Sequence, residues 1–290
     1  MSLQVILNSL IAGSSVALLA AAFQIVYLPT RVFFLALGGV YAASPYLVLA
    51  TKNSVGWVLA VMVAAVVSVV VCALCERMSH GPLSRRNASS GAQMIASLGM
   101  YIALVQVIAM IWGNEPQSLR QGTEDVTRFN GLVITRAQWA IAAVAVVLLA
   151  SLLVFLWRTN VGLRLRALAD NPTQFALYGY NVRNHRILAF GMAGLFASAA
   201  SITTAYDIGF EPHAGLHAVL LAVVAVIIGG RNSCIGPILG ALLLCLIRGQ
   251  VTWYLSARWQ EPVTFLALAM ILLVRPQGLF GKPPRLEAAS

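Results

Sequence analysis

Apolar stretches of about twenty residues recur along this chain, and short polar intervals separate them. At 1.5 Å per residue such a stretch, coiled as a helix, reaches across the ~30 Å hydrocarbon core of a bilayer. The pattern predicts nine segments, at about 3–27, 32–50, 54–75, 91–112, 137–156, 187–206, 214–228, 233–250 and 259–274. Leu28-Pro29-Thr30-Arg31 ends the first. The second carries Gly38-Gly39 and Pro45, which predict a bent or discontinuous helix, tolerated at membrane depth where other helices cover it. The second and the seventh are the candidates for re-entrant rather than crossing segments. Small residues four apart, Ala193, Ala197 and Ser201 and also Gly236 with Gly240, predict faces where helices approach closely. The expected fold is all-α: a polytopic membrane protein with about eight or nine helical segments, forming one transmembrane domain over residues 1–290.

The polar intervals carry the rest of the signal. The longest is Arg158–Arg186, where Arg158, Arg164, Arg166, Arg183 and Arg186 oppose only Asp170, a charge of +4. Its pattern is not that of a disordered linker. Asn171 is a good N-cap, Pro172 suits a first helical position, and Gly179 suits the residue after a helix end. Two short helices are predicted, about 162–170 and 172–178, forming a structured basic elbow. The interval 76–90 reads as a loop of charge +2, and the tail after 274 also carries +2. The interval 113–136 is neutral, and Asp207 and Glu211 give the next one −2. Basic loops stay cytoplasmic. The alternation therefore places 76–90, the elbow, 229–232 and the tail inside, the N-terminus outside and the C-terminus inside. No Lys or Arg precedes Arg31, so the first segment lacks the basic start of a signal peptide.

Composition agrees with this reading. Hydrophobic residues make up 60% of the chain and charged ones 10%, against roughly 25% charged in soluble domains. Topology and anionic lipid headgroups account for the net charge of +10 without nucleic acid. Several chemistries are missing. Lys52 and Lys282 are the only lysines, and neither completes a phosphate-binding loop, so the chain has no ATPase site of that type. It has no Gly-x-Ser-x-Gly and no His-Glu-x-x-His, and no catalytic residue is assigned. Cys72 with Cys75, and His213 with His217, have metal-like spacing but no further ligands, so helix packing and an outward vestibule are the expected roles. Glu76, Asp207, Glu211 and Glu261 all fall near segment ends. Proton-driven carriers rely on intramembrane carboxylates or histidines, which disfavours the alternative of a self-sufficient carrier or channel.

One family matches in order along the chain. Gly162-Leu163-Arg164-Leu165-Arg166-Ala167, Asn171-Pro172, Ala176, Gly179-Tyr180-Asn181-Val182 and Ala189-Phe190 resemble the cytoplasmic signature of permease subunits in branched-chain amino acid ABC importers. Leu7-Asn8-Ser9-Leu10-Ile11-Ala12-Gly13-Ser14 resembles the opening helix, and Ser97-Leu98-Gly99-Met100 with Trp112-Gly113-Asn114-Glu115-Pro116 resembles the middle. Gly229-Gly230, Gly236-Pro237, Gly240 and Arg275-Pro276-Gln277-Gly278-Leu279-Phe280-Gly281 resemble the end. The length suits the shorter of the two permeases.

The resemblance implies a bacterial inner-membrane protein that forms a heterodimer with a second permease subunit and works with two cytosolic ATPases that bind ATP and Mg2+ and a periplasmic binding protein that delivers the solute. It implies no cofactor or metal on this chain. It makes Gly162, Arg164, Arg166, Ala167, Asn171, Pro172, Gly179 and Asn181 the ATPase-coupling positions. Asn8, Phe34, Leu37, Gly38, Gly39 and Gln93 are the candidate substrate-pathway positions. The family carries an Asn-Phe-Ala-His-Gly-Glu-like run where this chain has Phe34-Leu35-Ala36-Leu37-Gly38-Gly39. That departure predicts a less polar path and a less polar solute.

Overall fold

The computed structural model describes residues 3–120, 126–129, 132–230 and 232–281. In chain order the elements begin with α1 (Leu3–Thr30), α2 (Leu37–Val55), α3 (Trp57–Cys75), α4 (Gly81–Arg85) and α5 (Ser90–Trp112). A hairpin of β1 (Val126–Phe129) and β2 (Leu132–Thr135) follows, antiparallel, with Val126 opposite Thr135. Then come α6 (Arg136–Arg158), α7 (Asn160–Asp170), α8 (Pro172–Leu177), α9 (Val182–Ile208), α10 (Ala214–Gly229), α11 (Gly236–Tyr254) and α12 (Gln260–Val274). Among the described residues seven helical stretches are long and apolar enough to cross a membrane: α1, α3 with its extension to Arg85, α5, α6, α9, α11 and α12 with the turn before it. The other two predicted segments are α2 and α10. The 16 residues of α10 rise only about 24 Å, short of a full crossing.

The bundle is organised around α1 and α9, which pack against each other; 61% of the apolar window of each is buried, against 6% for α12. On its other side α1 lies along α11, while α9 packs on α3 and α2. The small-residue face works as its spacing predicts. Ala193 and Ala197 are fully buried and Ser201 donates a 2.5 Å hydrogen bond to the Tyr41 carbonyl of α2.

Three boundaries differ from the sequence reading. α1 runs through Pro29 to Thr30, and Arg31 then takes a left-handed backbone, φ 56°. Residues 31–34 are not helical, so α2 starts five residues later than the predicted 32. The expected loop 76–90 is mostly helix: a π-turn over Glu76–His80 carries α3 into α4, and Ser89 caps α5 by accepting from the Ala92 N–H at 3.2 Å. The polar pattern read as a loop because its carboxylate and one of its serines are occupied internally, as described below. The interval before α6 holds the hairpin. Glu124 and Asp125 of that interval, Arg231, and Lys282, Arg285 and Glu287 of the tail lie outside the described residues.

The stretch after α12 is fixed to the bundle. The Leu279 N–H donates to the Ile228 carbonyl at 2.8 Å, and the Phe280 N–H to the Gly229 carbonyl at 3.0 Å. These bonds close the end of α10 on the side of the elbow.

Candidate functional site

The elbow is built from local capping. Thr159 ends α6 and starts α7, its Oγ1 accepting from the Gly162 N–H at 3.0 Å. Asn171 Oδ1 accepts from the N–H groups of Thr173 and Gln174, both at 3.0 Å, and Pro172 fills the first position of α8. Gly179 has φ 80° with open space around it, so its need for glycine is conformational. Asn181 Oδ1 then accepts from the Asn184 N–H at 3.3 Å and starts α9. Gly162 is needed for a different reason. A Cβ there would fall on the Phe155 carbonyl and the Leu156 backbone, so α7 folds back closely against the end of α6.

Phe175 is buried at the centre of the elbow, stacked on Tyr180 at 5.0 Å and meeting the His185 ring edge-on at 5.0 Å. Arg164 lies over the Tyr180 ring at 4.9 Å. The outer face presents Leu163, Leu177 and Tyr178, the last two more than 80% exposed. Ala167 is exposed beside them. The five cations divide. Arg158, Arg164 and Arg183 face outward with Asp170, so the exposed surface carries +2. Arg166 turns inward to a small cavity with Gln24, Leu152 and Cys234, where its Nε has no hydrogen-bond partner among the described residues.

Arg186 turns inward as well. Its Nε donates to Glu76 Oε1 at 2.6 Å, Nη2 to Oε2 at 3.3 Å, and Nη1 to Ser84 Oγ at 2.9 Å. The pair is 12% and 2% exposed. It ties the first turn of α9 to the end of α3 and to α4. Both groups read as loop charges in the sequence, because 110 residues separate them and nothing local marks the pairing.

At the opposite end of the bundle lies a cleft of about 640 Å³. Its walls come from the first half of α1, the last turns of α9 and α11, the start of α10 and the middle of α2. Asn8, Ser201, Thr204, Asp207, Glu211, His217 and Arg248 bring polar groups to it, over a floor that is mainly apolar. Arg248 sits inside α11, 14% exposed. Its Nη1 donates to Glu261 Oε1 at 2.8 Å and to Thr264 Oγ1 at 3.0 Å, and its Nη2 to Gln260 Oε1 at 3.0 Å. His217 Nε2 lies 3.5 Å from the same Glu261 oxygen. A cationic side chain within an apolar helix, facing a cavity, is a functional signal, and in the sequence it is marked only by a lone Arg in an apolar run.

Of the six candidate pathway positions, Asn8 lines this cleft. Phe34 and Leu37 are fully buried, and Phe34 packs between Phe190 at 4.7 Å and His80 at 5.5 Å. Gly38 lies against the Gly215 carbonyl and Gly39 against Leu104, so both are helix contacts. Gln93 bonds the Ala88 carbonyl at 3.1 Å near the start of α5, away from the cleft. Phe34, Leu37, Gly38 and Gly39 are buried in the bundle and Gln93 is half-buried, and none of the five lines this cleft. His217 lines the cleft and His213 stands at the start of α10, and among the described residues no cluster of three His, Cys, Asp or Glu groups is placed to hold a metal. Cys72, Cys75 and Cys245 are free thiols.

A sequence model of the family described as branched-chain amino acid transport system, permease component, matches residues 5–275. The chain is similar to the high-affinity branched-chain amino acid transport system permease protein LivH of Escherichia coli K12, 27% identical over 97% of this chain and 96% of the relative. BraD of Pseudomonas aeruginosa, which carries the same description, is also 27% identical with the same coverage. The probable branched-chain amino acid transport permease protein LivH of Methanocaldococcus jannaschii is 23% identical over 94% of this chain and 91% of the relative. No solved structure matches the chain.

Proposed function

The chain belongs to the family of permease components of branched-chain amino acid transport systems, and on that premise we propose that it is the membrane-spanning subunit of an ATP-driven importer for a branched-chain amino acid or a related small organic solute. It is a multi-pass membrane protein. In this reading the elbow faces the cytoplasm of a bacterial cell and the cleft faces the periplasm. The N-terminus is then outside and the C-terminus inside, as the loop charges favour. A second permease completes the membrane unit, two ATPases with ATP and Mg2+ dock below, and a periplasmic binding protein delivers solute above. ATP hydrolysis belongs to those partners.

One observation carries the reading: α9 starts directly from the capped elbow and ends in the wall of the cleft. Force applied at Asn181 is therefore delivered along a buried helix to Thr204 and Asp207. The Arg186–Glu76 pair makes α3 and α4 move with it. Closure of the ATPases would swing the elbow and rock this unit against α1 and α11, opening or closing the cleft. Leu177 and Tyr178 are the docking contacts on the outer face, since exposed aromatic and aliphatic anchors dominate interface energies. Asn8 and Arg248 are the solute-pathway groups.

The test is reconstitution of the complete transporter in liposomes with Gly179→Val. A β-branched residue at φ 80° costs at least about 1 kcal/mol and displaces the turn without changing charge. Normal membrane levels are expected, with ATPase activity no longer stimulated by the loaded binding protein. Tyr178→Ala is expected to weaken ATPase attachment. Unchanged ATP-coupled uptake in both variants would reduce the elbow to an ordinary positive loop and overturn the assignment.

A further inference from the structure

The interval after α5 is tied, at the cleft end of the bundle, to the turn between α9 and α10. The tie is one isolated antiparallel backbone pair. The Gln117 N–H donates to the Phe210 carbonyl and the Phe210 N–H to the Gln117 carbonyl, both at 2.9 Å. Leu119, two residues on, is buried and anchors this strap. Gly209 stands just before Phe210 with φ 89°, and a Cβ there would lie 2.9 Å from the Gln117 carbonyl oxygen. Glycine lets the turn come this close.

The pair holds Phe210 between two spaces. On one side Phe210 forms part of the cleft wall. On the other it meets the Tyr46 ring edge-on, centroids 4.7 Å apart, and Trp112 stands against Tyr46 at 5.5 Å. Tyr46 is fully buried, and its hydroxyl has no hydrogen-bond partner among the described residues. A buried tyrosine hydroxyl ordinarily has one. Pro45, next to Tyr46 in the chain, lines the cleft, as do Ala42 and Glu211. The unpartnered hydroxyl belongs to a ring that only Phe210 separates from this wall.

Two effects of comparable size oppose each other here. Two backbone hydrogen bonds hold the turn shut, and a buried hydroxyl without a partner favours opening it. A wall balanced in this way has a second state within reach.

We infer that Phe210 is a door in the cleft wall. When the Gln117–Phe210 pair parts, the ring swings aside and the Tyr46 hydroxyl enters the cleft, where it hydrogen-bonds the solute. The solute role rests on the importer reading, and the door does not.

The experiment follows Tyr46→Cys in the full-length chain, with its native cysteines replaced by alanine, purified in nanodiscs and treated with a charged, water-soluble maleimide. Slow labelling is expected with the strap intact. Gly209→Ala, which the Gln117 carbonyl does not accommodate, is expected to speed labelling about tenfold. Equal rates would overturn the door. Tyr46→Phe keeps the ring and covers the case in which the cysteine variant does not fold. Its melting temperature is expected to be unchanged or higher, because no hydrogen bond is lost at rest. Its KM for L-leucine, in proteoliposomes with the complete transporter, is expected to rise about fivefold. A lower melting temperature or an unchanged KM would overturn the role of the hydroxyl. Absence of ATP-coupled leucine uptake by the unaltered transporter would sink the importer reading and the solute role with it, while the labelling comparison still decides the door.

Discussion

The two ends of α9 are built by opposite rules. At the elbow each turn is settled by a neighbour: Thr159 caps α7, Asn171 caps α8, and Asn181 caps α9 itself. At the cleft the polar groups arrive from four helices and the turn before α10, and Arg248 is held by residues 12 to 16 positions away. The first end keeps its shape as a unit and suits a lever handled from outside. The second is assembled only when the whole bundle is, and suits an opening that changes when helices move. The lesson is that stiffness and adaptability can sit on one helix if the stiff end is made of short-range bonds.

Substitutions can break or sharpen this contrast. The largest effect is expected where the elbow end departs from its own rule. Glu76→Gln leaves Arg186 buried without its counter-charge, and a loss of about 3–5 kcal/mol is expected, seen as a lower melting temperature and reduced membrane level. Glu76→Gln with Arg186→Leu should recover most of it, because neither charge then remains buried. Failure of that rescue would mean the pair acts on something other than stability.

Next comes Gly162→Ala, which pushes a methyl group into the Phe155 and Leu156 backbone and is expected to cost about 1–3 kcal/mol. Gly179→Asn is the matched control. Asn tolerates left-handed backbone and meets open space there, so little change is expected. Equal damage from both would erase the distinction between a crowded glycine and a conformational one. Asn171→Ala follows, with about 1 kcal/mol for the lost cap, read by thermal unfolding, and Asn171→Ser should restore it.

The smallest effect on stability is expected at the cleft. Glu261 is 45% exposed, so Arg248→Gln should cost under about 1 kcal/mol. Uptake measured in proteoliposomes should still fall about tenfold, the equivalent of ~1.4 kcal/mol. Stability lost in proportion to uptake would make Arg248 a structural residue.

The same contrast explains what could be read before the structure. Asn171, Pro172 and Gly179 announced the elbow because caps and turns are encoded within three or four residues. The helices were legible because their apolar runs match bilayer thickness. Direction was not legible. Arg164 and Arg166 sit two apart on one short helix and so face nearly opposite ways, but nothing local says that Arg164 is the one that stacks on Tyr180 and Arg166 the one that points into the bundle. Phe34, Leu37, Gly38 and Gly39 were placed on the pathway by likeness to a family run, which locates a position without saying which way it faces. Glu76 with Arg186 left no local trace. Arg248 did leave one, a lone cation within an apolar run.

The bonds from Leu279 and Phe280 to the end of α10 also set a clock. Ile228 accepts from a residue 51 positions later in the chain. A ribosome adding roughly 5–20 residues per second takes about 3–10 s to supply it. During that interval the carbonyls of Ile228 and Gly229 lack the partners they hold in the finished protein, and α11 and α12 must enter the membrane beside a helix whose end is still open. The end of α10 is completed only by Leu279 and Phe280, which are made after α11 and α12.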